Sequence, residues 1–77
     1  MVEDRVKKVL SKLFSASIDS ITDTTSPETL PKWDSLGHIS LCLALEEEFG
    51  LEFSVDQVLE MKSCGSIIRV LTDMGAS

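Results

Sequence analysis

Within the run Trp33-Asp34-Ser35-Leu36-Gly37-His38 stand the residue types of this chain best placed to do chemistry. A serine hydroxyl lies where a polar stretch gives way to the apolar run Ile39-Ser40-Leu41-Cys42-Leu43-Ala44-Leu45, and a histidine follows three positions later. A catalytic serine needs a general base within hydrogen-bond reach and a further group that orients the base. His38, the only histidine, is near enough to serve as that base. No G-x-S-x-G elbow surrounds the serine, however, and no acid is evidently placed behind the histidine. A chain of 77 residues also has little room for a water-excluded pocket. The expectation is therefore that the chain is not an enzyme. A serine modified by another enzyme needs less: an exposed hydroxyl, an accessible loop before it, and surroundings that accept an anion. The first turn of a helix meets the last need through its unpaired N–H groups and the positive end of its dipole. Serine is also a common N-cap, and position alone favours that plainer role for Ser35.

The elements around this serine can be read from spacing. Val2, Val6, Val9, Leu10, Leu13 and Phe14 form one apolar stripe, which predicts an amphipathic helix over about 2–14. Glu3–Lys7 and Asp4–Lys8 are i, i+4 pairs in the favourable orientation. Residues 15–34 read as a long loop that returns the chain to the serine, with Ile18, Ile21 and Leu30 pinning it down. Within the loop, Ser26-Pro27-Glu28 suggests a short turn with Ser26 as its cap. A second helix is expected over about 35–49, ended by Gly50. Its apolar residues cover too much of the circumference for one stripe, so some of them, Leu36 and Leu43 among them, should stay partly exposed. Ser54-Val55-Asp56-Gln57 is a capping box opening a short helix over about 55–61. Ser63 can cap a last helix over about 64–74, where Ile67, Val70, Leu71 and Met74 are spaced for burial. Helices with no strand signal leave helix-on-helix packing, so the expected fold class is all-α, a small four-helix bundle in a single domain, 1–77.

Charge narrows the partners. The net charge is −6, and the whole excess falls on residues 33–60, where Asp34, Glu46, Glu47, Glu48, Glu52, Asp56 and Glu60 meet no lysine or arginine. A one-sign field of this kind attracts basic protein surfaces and repels nucleic acid and anionic membranes. The bland alternative is a merely solvated acidic face. No apolar run is long enough for a membrane span, and the charged opening is unlike a signal peptide, so a cytoplasmic protein is expected. Cys42 and Cys64 sit in apolar contexts and are expected to be buried thiols. Neither they nor His38 have metal-ligand spacing. Asp19 and Asp23 lack the ligand pattern of a calcium loop.

Asp34-Ser35-Leu36, followed by a leucine-rich helix running into Ala44-Leu45-Glu46-Glu47-Glu48-Phe49-Gly50, closely resembles the phosphopantetheine attachment region of acyl carrier proteins. The opening Asp4-Arg5-Val6-Lys7-Lys8-Val9, the long loop and the two shorter C-terminal helices are similar to that family as well. The resemblance implies a bundle of acyl-carrier-protein type in which Ser35 receives 4′-phosphopantetheine from coenzyme A through a phosphopantetheinyl transferase. It further implies that the thiol of that group holds acyl or aminoacyl cargo as a thioester. Asp34, Leu36, Leu43, Glu46 and Glu47 match positions with which the family meets its partners, here a loading ligase and downstream transferases with basic patches. A monomer is expected.

The chain departs from fatty-acid carriers at Gly37 and Ser40, where those usually have acids, and His38 follows Gly37. Gly37 is read either as permitting close approach of a partner or cargo or as neutral drift. Trp33 is read as packing beneath the loop or as part of a docking edge. These departures suggest a specialised, free-standing carrier for an acyl, aminoacyl or polyketide-type pathway in preference to bulk fatty-acid synthesis. The rival from another class is an unmodified helical interaction or regulatory module that keeps the same fold.

Overall fold

The computed structural model describes residues 1–77, folded as four helices with no strand. The first, α1 (Val2–Phe14), turns Val6, Leu10 and Phe14 inward and leaves Val2, Val9 and Leu13 half-buried along the stripe's margin. It ends at Ser15 in the left-handed conformation (φ 54°), while the Ser11 hydroxyl donates to the Ala16 carbonyl at 2.6 Å and fixes the exit of the chain. The second helix, α2 (Ser35–Phe49), buries Leu41, Cys42 and Leu45 and is closed by Gly50 at φ 65°. A six-residue α3 (Val55–Glu60) and a ten-residue α4 (Cys64–Asp73) complete the bundle. Both start with reciprocal capping boxes, Ser54 with Gln57 and Ser63 with Ser66. On α4, Ile67, Val70 and Leu71 are buried and Met74 is half-buried.

The core is one cluster to which α1, α2 and α4 contribute most, with Met61 inserted from the end of α3. Arg5 ties its rim together. Its guanidinium bridges to the Glu48 carboxylate at 3.0 Å, donates to the Glu48 and Ser77 carbonyls, and lies 4.2 Å above the Phe49 ring. A cation on the last carbonyls of α2 is also where the helix dipole favours one.

The loop from 15 to 34 is ordered by devices that its composition does not announce. Ile18 is exposed, contrary to its expected role as a pin, and begins a single 3-10 turn, Ile18–Ser20. Ile21, Thr25 and Trp33 are the buried anchors, with Leu30 half-buried. The turn after Ser26 forms, but the Ser26 hydroxyl does not cap it; the Thr29 hydroxyl accepts the Ser26 N–H, and the Ser26 carbonyl accepts the Thr29 and Leu30 N–H groups. Loop carbonyls also satisfy the first free donors of α4: Cys64 N–H bonds to Thr25 and Gly65 N–H to Asp23, at 2.8 and 2.9 Å. A Cβ at Gly65 would stand 3.1 Å from that Asp23 carbonyl oxygen, which gives this glycine a packing reason near a helix start. Both cysteines are buried free thiols.

Candidate functional site

Ser35 is the first residue of α2, and it is exposed. The cap belongs to its neighbour. Asp34 is extended, and its Oδ1 accepts the Gly37 N–H at 2.8 Å while its carbonyl accepts the His38 N–H. The plain reading of Ser35 as the cap is thereby corrected, since a carboxylate one position earlier fills that role and gains from the dipole as well. The Ser35 hydroxyl has no hydrogen-bond partner in the protein, and no protein group accepts the Ser35 and Leu36 N–H groups beside it.

Gly37 is determined by the fold. A Cβ there would overlap the Lys32 carbonyl oxygen and stand 3.1 Å from the Phe14 ring. Neither drift nor the approach of a partner or cargo accounts for it: the chain's own loop crosses the helix here, and no acidic side chain fits this position. Ser40, where the second acid is missing, is exposed.

His38 and Trp33 form a relay that sequence spacing does not reveal. The Trp33 indole is 1% exposed, which decides for packing beneath the loop over a docking edge. It stacks against the Phe14 ring at 5.8 Å and the His38 ring at 6.1 Å. Trp33 Nε1–H donates to His38 Nδ1 at 2.9 Å, and His38 Nε2 lies 2.9 Å from the Val58 carbonyl oxygen. An indole nitrogen can only donate and a carbonyl only accept, so the geometry assigns the neutral tautomer with its proton on Nε2. Both imidazole nitrogens are occupied, and neither is available as a base for Ser35. Trp33 lies outside any helix, so no helical period links it to His38.

An open groove of about 600 Å³ runs beside Ser35, between the loop, the start of α2 and α3, with Pro27, Trp33, His38, Leu59 and Lys62 among its walls. Leu36 and Leu43 are exposed, as the breadth of the apolar pattern suggests, and Ile39 joins them. Val55 and Leu59 add exposed apolar surface from α3. The three consecutive acids differ in what they do. Glu46 is half-buried and accepts the Phe53 N–H at 2.8 Å, Glu48 pairs with Arg5, and Glu47 is exposed without an intramolecular partner.

Burial raises the thiol pKa of both cysteines, that of Cys64 to about 11, and keeps them protonated near neutrality. The neighbouring Glu46 carboxylate adds to the rise at Cys42. Neither cysteine lines the groove beside Ser35.

No family model matches the chain. Among curated proteins, the acyl carrier protein of Buchnera aphidicola subsp. Schizaphis graminum (strain Sg) is 36% identical over 53 residues, which cover 69% of this chain and 67% of that protein. The chain belongs to the acyl carrier protein family. Acyl carrier proteins are not enzymes, which agrees with a serine whose neighbouring histidine is engaged on both sides. The family implies a phosphopantetheine prosthetic group in general terms, and the all-helical bundle is of the small carrier type. No helix of this carrier is long and apolar enough to cross a membrane.

Proposed function

We propose that Ser35 is the attachment point of 4′-phosphopantetheine and that the protein presents acyl or aminoacyl groups to other enzymes. The observation that carries this reading is the exposed, unpartnered Ser35 hydroxyl beside an aspartate that has taken over the cap. Such a hydroxyl can be esterified without loss of any hydrogen bond that the fold uses. Ser35 would lose its proton and form the phosphoester bond in a transferase active site, while the nucleotide half of coenzyme A leaves. The bound group supplies the thiol on which cargo is held as a thioester. Two features suit an attached phosphodiester at this place: the unclaimed N–H groups of Ser35 and Leu36, and the positive end of a fifteen-residue helix.

Partner enzymes are the phosphopantetheinyl transferase, an acyl- or aminoacyl-loading ligase, and downstream transferases. Basic patches on them would meet the acidic segment and the exposed Leu36 and Leu43, giving weak, fast, salt-sensitive contacts. Of the three consecutive acids, Glu47 is the freest for this work. Asp34 and Glu46 also carry internal hydrogen bonds, so they would contribute field more than direct contact. The carrier serves a specialised pathway, and it works as a monomer. Its setting is the cytoplasm, where two free thiols are the ordinary state.

The test is an intact-mass measurement. Wild type and Ser35→Ala are incubated with coenzyme A, magnesium and a broad-specificity phosphopantetheinyl transferase. Wild type should gain the mass of one phosphopantetheine and the variant none. No gain in wild type with several transferases overturns the proposal, and a gain that persists in the variant moves the site away from Ser35.

A further inference from the structure

The seam between α2 and α3 is spanned by the Trp33–His38–Val58 relay. The six-residue α3 buries no residue of its own and packs chiefly on α4. That makes it the element most easily displaced, and His38 and Val58 meet across its seam with α2. Across this seam the imidazole of His38, in the first turn of α2, spans from the buried Trp33 indole to the Val58 carbonyl, at 2.9 Å on each side. The core residues Leu41, Leu45, Ile67 and Leu71 are fully buried and line no part of the groove. A chain entering there would have to swing α3 away, leave the Val58 carbonyl without its imidazole donor, and displace side chains already in contact. The groove outside demands none of this. It is open beside Ser35, with a mixed lining that includes Ser26, Lys62 and Leu59.

We infer that the Trp33–His38–Val58 relay bars cargo from the bundle core, and that this carrier accordingly handles short or polar acyl or aminoacyl groups held in the outer groove. This rests on Ser35 being the attachment point. A short or polar group gains too little from leaving water to drive the seam apart, whereas a long saturated chain gains with every methylene buried. Gly37 and Lys32 brace the same corner by bringing the loop against the first turn of α2.

The experiment loads wild type from acetyl- and octanoyl-coenzyme A with a phosphopantetheinyl transferase and confirms loading by intact mass. Thioester cleavage by hydroxylamine is then followed. The relay predicts that both thioesters are cleaved at rates within about two-fold of each other. It also predicts that His38→Ala makes the octanoyl thioester several-fold slower to cleave. Trp33→Phe, which removes the indole donor and keeps most of the ring, gives the same slowing should His38→Ala unfold. An octanoyl group shielded roughly ten-fold or more in wild type overturns the inference while leaving the carrier reading intact. Equal cleavage in wild type and in every folded relay variant overturns the assignment of the barrier to His38. A wild-type chain that takes up nothing from either donor overturns the carrier reading itself.

Discussion

Truncating Asp34 to alanine removes the acceptor of the Gly37 N–H, and loss of such an N-cap costs about 1 kcal/mol. For a domain of this size that is a fall of roughly 4–8 °C in melting temperature. Ser35→Ala removes a hydroxyl with no partner in the fold and should leave stability within about 0.5 kcal/mol of wild type. Thermal denaturation of the two variants side by side separates the residue that holds the helix from the residue that is modified; equal losses would give the Ser35 hydroxyl a structural role. Cys64 makes a different prediction at the same scale. Its thiol is raised from 9.0 to about 11, chiefly by burial, so the fold favours the neutral form. Its contribution to stability is complete below pH 9 and is lost as pH rises through 11. The urea midpoint of wild type should therefore fall across that window, and that of Cys64→Ala should fall less steeply. Identical slopes would mean that Cys64 titrates alike in the folded and unfolded chains.

Each helix has a different degree of legibility in the sequence. The stripe of α1 and the capping boxes of α3 and α4 can be read directly, because they rest on local spacing and short-range hydrogen bonds. The breadth of apolar residues on α2 announces an exposed edge, with Ile39 on it as well as Leu36 and Leu43. The loop is far less legible. Its anchors are backbone bonds to the start of α4 and the indole of Trp33 stacked outside any helical period, and neither leaves a pattern in spacing. The Ile18 pin failed because the chain turns there in a 3-10 step that leaves the side chain outward. Gly37 is the clearest case of a residue whose reason lies in tertiary contact. Gly37→Ala adds about 0.5–1 kcal/mol of helix propensity, yet its Cβ would collide with the Lys32 carbonyl. The collision should win, with a net loss of roughly 1–3 kcal/mol in urea denaturation. A stabilised variant would show that the loop yields freely at this crossing.

Over the whole molecule, charge is the property the sequence displays most openly, and the structure sorts it. Every excess acid follows Trp33, but Glu46 and Glu48 are engaged in holding the fold. Glu47 is left as the exposed, unpartnered member of that triplet. Glu47→Lys should therefore slow modification by a phosphopantetheinyl transferase several-fold at low salt and flatten the dependence of that rate on ionic strength, with the melting temperature unchanged. A rate indifferent to both the substitution and salt would remove the acidic face from partner recognition. The central claim, that Ser35 carries the prosthetic group, is tested most directly on protein purified from its own cells. Trypsin cleaves after Lys32 and Lys62 and releases one peptide, Trp33 to Lys62, that contains Ser35, Ser40 and Ser54. Fragmentation mass spectrometry of that peptide should place one phosphopantetheine on Ser35. The same mass on Ser40 or Ser54, or a peptide that carries none even after treatment with transferase and coenzyme A, would contradict the account.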